Sequence, residues 1–396
     1  MTTSDLKLVR TQPVDIQPKL EAQTALEPLY FARPAAQYQA FKTEIDAAIQ
    51  RVLEGQVYIL GPEVKAFEAE FAAWCGSQHG IGVANGTDAI HLALRALNIG
   101  AGDEVITTAH TAVATVAAIE MAGATPVFAD IDAERYGLDP ESVARAISPR
   151  TRAIVAVHLY GHPVDLGPLL DLATRHNLHL IEDCAQAHGA LWNGHKVGSV
   201  GVVGCFSLYP TKNLGGIGDG GIVITADPAL ADRLRQLRQY GWVRPQHAEM
   251  PGWNSRLDEL QAAILRVKLR HLDATTARRR EIARRYTQAL ADLPLVLPGD
   301  APGCAHVYHL YVLHSPEREA LRAHLASRGI HAGLHYAEPV HVQPAYRDRF
   351  PCSLPVTERI VHDILSLPMY PELSDQDVDR VIDGIRGFYR MALAAE

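Results

Sequence analysis

The chain has 396 residues, 47% hydrophobic and 21% charged, with 37 Lys and Arg against 45 Asp and Glu for a formal net charge of −8. That length suffices for one or two large cores, no run approaches the ~20 apolar residues of a membrane span, and the acidic balance leaves no global footprint for nucleic acid or an anionic membrane. Five cysteines, odd in number and without C-x-x-C spacing, indicate neither a disulfide framework nor a zinc site, so a reduced, cytoplasmic setting is expected.

Residues 1–19 are polar and lack the apolar core of a secretion signal, and residues 1–25 read as a mobile or partner-docked arm. Helical spacing over residues 37–53 and 63–74 is followed by a regular alternation. Strands are expected at 81–84, 104–107, 126–130, 153–159, 179–181, 202–207 and 222–225. Helices are expected at 89–97, 112–121, 140–146, 166–175 and 229–240. This pattern predicts an α/β fold, a mostly parallel central sheet flanked by helices, as a large domain over residues 26–254. Beyond it an amphipathic stretch, 257–290, reads as a bridging helix, bent or paired. A smaller C-terminal α+β module completes residues 255–396, with expected elements at 309–313, 318–327 and 375–391. The arginines at 278–280 and 284–285 read as a solvated helix face.

Four stretches carry the chemistry. In Cys205-Phe206-Ser207-Leu208-Tyr209-Pro210-Thr211-Lys212-Asn213 an apolar strand is stopped by Pro210, which leaves Lys212 on the turn beyond the strand end. Alone, a turn lysine is more often a surface residue. Buried there, it suits Schiff-base chemistry with a carbonyl cofactor, because desolvation lowers its pKa toward neutrality. The glycines at 216, 218 and 221 spell G-x-G-x-x-G, but a strand-like run follows them rather than a helix, so no dinucleotide site is expected; they would let the backbone pass close to whatever the lysine binds. Ala84-Asn85-Gly86-Thr87-Asp88-Ala89 joins a strand to a helix and offers a phosphate cradle through the amides of Thr87 and Asp88, or an ordinary N-cap. In Leu180-Ile181-Glu182-Asp183, alternation sends Glu182 and Asp183 to opposite faces, and Asp183 is the one expected to hold a pyridine nitrogen protonated. His110, at another strand end, would lie over a planar cofactor or serve as a hydrogen-bonded loop histidine.

Taken in order, Asn85-Gly86-Thr87-Asp88-Ala89, Glu182-Asp183-Cys184-Ala185-Gln186-Ala187-His188-Gly189, Ser207 to Gly215 and Gly252-Trp253-Asn254-Ser255-Arg256-Leu257-Asp258-Glu259-Leu260-Gln261 resemble the sugar aminotransferases. These are pyridoxal-phosphate (PLP) enzymes of the aspartate-aminotransferase fold, fold type I, that aminate nucleotide-linked keto sugars. The resemblance runs from about residue 61 to near the C-terminus. It implies that Lys212 carries the cofactor as a Schiff base, that Asp183 pairs with the ring nitrogen, and that Gln186 lies near the ring's phenolic oxygen. It also implies that Gly86, Thr87, Asp88 and Ser207 hold the phosphate and that Asn254 reaches it from the neighbouring subunit, hence a homodimer with composite sites. His110 falls where the family often carries a larger aromatic. The segment Gly333-Leu334-His335-Tyr336, followed by Pro339, His341, Gln343, Pro344, Ala345 and Tyr346, resembles that of members acting on a 3-keto sugar; His335 and Tyr336, together with Tyr209, are expected to bind substrate. Gly333 and Pro339 interrupt any helix that would align His331, His335 and His341, so no metal is expected. The implied reaction is a ping-pong transfer from L-glutamate, through the pyridoxamine (PMP) form, to a nucleoside-diphosphate keto sugar. A sugar dehydratase of the same fold would carry histidine at the Lys212 position, and a non-catalytic cofactor-binding regulator would lack turnover.

Overall fold

The computed structural model describes residues 27–393; the expected N-terminal arm lies outside them. A seven-stranded sheet forms the centre, from β1 (His79–Val83), β2 (Glu104–Thr108), β3 (Thr125–Ala129), β4 (Thr151–Val157), β5 (His179–Asp183), β6 (Val203–Ser207) and β7 (Gly221–Thr225). Their spatial order is β1-β7-β6-β5-β4-β2-β3, and β7 alone runs against the others. Because side chains alternate along each strand, Ile81, Val105, Val155, Ile181, Val203 and Val223 face one helical layer, while Ile106, Ile154, Leu180, Phe206 and Ile222 face the other. Strands buried on both faces explain the near-continuous apolar runs in the sequence.

Two helices precede the sheet, α1 (Pro34–Ala40) and α2 (Lys42–Leu53), so the single helix expected over 37–53 is broken at Phe41, whose φ of −119° and ψ of 23° leave the helical region. Next comes α3 (Pro62–Cys75). The crossover helices are α4 (Gly86–Ala96), α5 (Val113–Met121), α6 (Pro140–Ala146), α7 (Leu166–His176) and α8 (Pro228–Leu237). The stretch read as bent or paired is one continuous 32-residue helix, α9 (Glu259–Leu290), with neither Pro nor Gly to interrupt it. Its first half packs Ala262, Leu265, Leu269 and Leu272 against α3 and the sheet. Its second half packs Ile282, Ala283, Tyr286 and Leu290 into a smaller core. That core contains an antiparallel pair, β8 (Tyr311–His314) with β9 (Ile364–Leu367), covered by α10 (Arg318–Ser327) and the closing helix α12 (Asp375–Leu393); α11 (Pro355–Ile360) lies beside it. The arginine cluster is not wholly a solvated face. Arg279 is buried and donates to the carbonyls of Tyr308 (3.2 Å) and Met369 (2.9 Å), which ties α9 to the small domain. Among the described residues, no helix is long and apolar enough to cross a membrane.

Candidate active site

The carboxyl ends of β1, β2, β4, β5 and β6 lie along one edge of the sheet and enclose a cavity of about 240 Å³. Lys212, Asp183, Gln186, Ser207, Gly86, Thr87 and Tyr209 all border it, with Thr111, Thr115 and the apolar walls Ile90, Ala112, Val157 and Leu159. Lys212 sits on the turn after β6, its amide donating to the Tyr209 carbonyl at 2.9 Å. Burial lowers its amine to about 8, against the opposing pull of Asp183. Asp183 ends β5 almost fully buried. Its Oδ2 accepts from the Thr115 hydroxyl at 2.8 Å and its Oδ1 from the Ala185 amide at 3.1 Å. Burial raises this carboxyl, and those two donors together with the Lys212 cation oppose the rise.

Glu182 points the other way, as period-2 alternation requires. Its Oε1 accepts from the amides of Val200 (2.9 Å) and Gly201 (2.7 Å), and its Oε2 from Gly198 (2.7 Å) and from His158 Nε2 (3.0 Å). Since His158 Nδ1 accepts from the Val164 amide, the cluster His158, Glu182, Cys184 has no free lone pair on its imidazole for a metal ion.

At the start of α4, Gly86 has no room for a side chain, because a Cβ would come within 2.7 Å of the Ser207 Cβ. That approach brings the Ser207 hydroxyl up to the helix N-terminus. Asp88 is a correction to the sequence reading: Asn85 Oδ1 takes its amide at 2.8 Å, and the Ser255 hydroxyl donates to its carboxylate at 2.6 Å. The open amides are therefore those of Gly86 and Thr87, which have no protein acceptor among the described residues. Of the two roles expected for His110, the structure shows the hydrogen-bonded loop histidine and not a ring lying over the cavity. The Thr108 hydroxyl accepts its amide, the loop turns inward, and the ring is fully buried with Nε2 2.7 Å from the Tyr160 hydroxyl; Thr111 and Ala112 form the wall instead. Burial drops this imidazole to about 3.

The run of glycines after Lys212 lies close against α9. Gln261 of α9 packs on Gly216 and Gly218 and accepts the Ile217 amide at 2.9 Å, while Lys268 donates to the Gly215 carbonyl at 2.6 Å and to Gln37 Oε1 at 2.8 Å. Tyr209 is 51% exposed at the mouth. His335 and Tyr336 stand behind Gln186: Gln186 Nε2 donates to the Tyr336 hydroxyl at 3.1 Å, and His335 Nδ1 lies 2.9 Å from the Ser366 hydroxyl. His341 pairs with Glu358 at 3.2 Å, and His331 stacks on Tyr30. Asn254 is exposed and forms no part of its own chain's cavity. Sequence reasoning passed over Thr115, although Thr111 and Thr115 four residues apart at a strand-to-helix junction were a readable signal for one polar helix face. Nothing in the sequence marked Tyr160.

An amine and a carboxylate converging under an open helix N-terminus, on a doubly wound sheet with a second small domain, define the large class of fold type I aminotransferases. The chain belongs to the DegT/DnrJ/EryC1/StrS aminotransferase family, whose match spans residues 39–386. It is 50% identical over 354 residues to the dTDP-3-amino-3,4,6-trideoxy-alpha-D-glucose transaminase of Streptomyces venezuelae, covering 89% of this chain and 93% of that one. It is 49% identical over 350 residues to the erythromycin biosynthesis sensory transduction protein EryC1 of Saccharopolyspora erythraea, covering 88% and 96%. Among solved structures, S. venezuelae DesV in complex with a ketimine intermediate superposes with a TM-score of 0.90 at 48% identity, covering 91% of this chain and 98% of that one.

Proposed function

We propose that this enzyme is a sugar-nucleotide aminotransferase that takes an amino group from L-glutamate and delivers it to a nucleoside-diphosphate-linked keto sugar, a 3-keto-6-deoxy sugar, in two alternating half-reactions. The observation that carries the reading is the convergence of Lys212 and Asp183 on one cavity beneath the free amides of Gly86 and Thr87. Those residues fit pyridoxal phosphate: an anion site, a desolvated amine and a buried carboxylate are what that group needs. When bound, the cofactor supplies the electron sink and carries the amino group between the half-reactions as PMP.

The chain supplies the rest. The Gly86 and Thr87 amides, with the Thr87 and Ser207 hydroxyls, bind the phosphate. Asp183, oriented by Thr115 and Ala185, holds a proton on the ring nitrogen. Lys212, lowered to about 8, has a neutral share near pH 7 and moves the proton at the substrate carbon bearing the amino group. Ile90, Val157 and Leu159 exclude water from that transfer. Gln186 faces the phenolic oxygen, and Tyr209, His335 and Tyr336 receive the sugar nucleotide. Asn254, exposed on its own chain, serves the phosphate of a second subunit in a homodimer.

The test is to load the purified protein with cofactor and L-glutamate, offer a panel of 3-keto and 4-keto sugar nucleotides, and identify products by mass spectrometry. Aminated product from a 3-keto sugar nucleotide is expected. Cofactor bound without any aminated product would favour the alternative of a non-catalytic cofactor-binding regulator.

A further inference from the structure

Tyr160 lies in the short turn Leu159–Gly161 after β4 with its backbone at φ 61° and ψ 0°. For a bulky L-residue the left-handed region is a strained conformation that persists only where surrounding contacts over-determine it. Here four of them do. The Tyr160 amide donates to Gln186 Oε1 at 2.7 Å, and its carbonyl accepts from the Leu310 amide at 3.2 Å. Its hydroxyl donates to the carbonyl of His335 and meets His110 Nε2 at 2.7 Å. The side chain is 1% exposed, and Tyr136 packs edge-on against the ring at 5.1 Å.

The polarity of this chain of bonds is fixed by its ends. The His335 carbonyl only accepts, so the Tyr160 O–H must donate to it. The phenolic oxygen is then the acceptor for His110, which carries its proton on Nε2, leaving Nδ1 unprotonated and without a partner among the described residues. Burial holds His110 neutral and raises Tyr160 well above its ordinary value, so the arrangement does not titrate near neutral pH. One residue thus grips two things. Its backbone holds Gln186, a wall of the cavity, and its hydroxyl holds the main chain of His335. Gln186 in turn donates to Tyr336, the next residue, which closes a loop of hydrogen bonds between the sheet edge and the small-domain segment.

We propose that Tyr160 is a positioning residue that sets the His335–Tyr336 segment behind Gln186 of the cavity wall, and so governs acceptance of the keto sugar rather than of the amino donor. This rests on the sugar-nucleotide reading above. Tyr160→Phe keeps the ring and deletes only the hydroxyl. It is expected to raise KM for the keto sugar nucleotide roughly five- to tenfold, the loss of about one net hydrogen bond. The single-turnover reaction with glutamate should stay within about twofold of wild type, because the positioned segment is assigned to the keto sugar and not to the donor. In cofactor-free protein, hydrogen–deuterium exchange of the amides at 333–337 should speed up. His110→Leu, which removes the donor behind the hydroxyl, is expected to move KM and exchange the same way by a smaller factor, and it decides the matter if the phenylalanine variant does not fold. Unchanged KM, equal slowing of both half-reactions, or unchanged exchange overturns the proposal. If wild-type protein aminates no keto sugar, the activity assignment has failed instead, and the exchange comparison alone judges the joint.

Discussion

Lys212→Met, assayed for stability rather than activity, tests the physical basis of the site. Burial holds the amine at about 8 against an ordinary value of 10.5, with the attraction of Asp183 already included. That displacement is a penalty of roughly 3 kcal/mol on the charged form in the folded chain, and because the side chain is only half-buried, solvent screening discounts it to about 2 kcal/mol. Methionine has similar length and no charge, so cofactor-free Lys212→Met should be more stable than wild type by about 2 kcal/mol at pH 7. Because the folded value lies below the unfolded one, the wild-type penalty is fully present below pH 8 and fades as pH rises from about 8 to 10.5. The gap between the two proteins should therefore close across that window. Urea denaturation of both proteins at pH 7, 8.5 and 10, followed by circular dichroism, reads it directly. A variant less stable than wild type at pH 7, or a gap that does not change with pH, would refute the view that Lys212 is desolvated and partly neutral at working pH.

Asp183→Asn keeps shape and one hydrogen bond but removes the charge opposite the ring nitrogen; transamination should fall on the order of 10²-fold, roughly 3 kcal/mol of barrier, while absorbance shows the cofactor retained. Glu182→Gln turns an acceptor of three amides and an imidazole into a group with two donors of its own, so it should cost about 2–4 kcal/mol in denaturant unfolding; a loss of activity with unchanged stability would mean that Glu182, not Asp183, serves the cofactor. Mixing Lys212→Ala and Asn254→Trp protomers should restore activity through a heterodimer with one intact site. No gain above the parents, once subunit exchange is verified by gel filtration, would place Asn254 in its own chain's service or in none.

What the sequence disclosed follows a physical division. Lys212, Asp183, Ser207 and Gly86 come together on one cavity because each stands at or just beyond the carboxyl end of an apolar strand, which the sequence pattern displays. Strand alternation alone separated Asp183 from Glu182, and the structure sends them to opposite faces. The misses are set by partners distant in the chain or by local competition. The Asp88 carboxylate is claimed by Ser255, far along the sequence, and its amide by the neighbouring Asn85 cap. His110 is turned inward by the Thr108 hydroxyl two residues before it. The unbroken α9 was there to be read from the absence of helix breakers, whereas the break at Phe41 has no breaker to announce it.

The long helix α9 also sets an order of events for a chain that emerges from the ribosome N-terminus first. When Lys212 has left the exit tunnel, the loop behind it still lacks Gln261 and Lys268, and the first turn of α3 lacks the Glu259 carboxylate that accepts the amides of Glu63 and Val64 at 2.9 Å each. A nascent chain paused at residue 254 would hold every strand of the central sheet yet expose Phe67, Phe71 and Leu214 where Leu265 and Leu269 belong. Part of the apolar face of the seven-stranded unit is therefore covered only by α9. Truncation at that point would bare this apolar face, and the loop behind Lys212 would lack its bonds to Gln261 and Lys268 until α9 had docked.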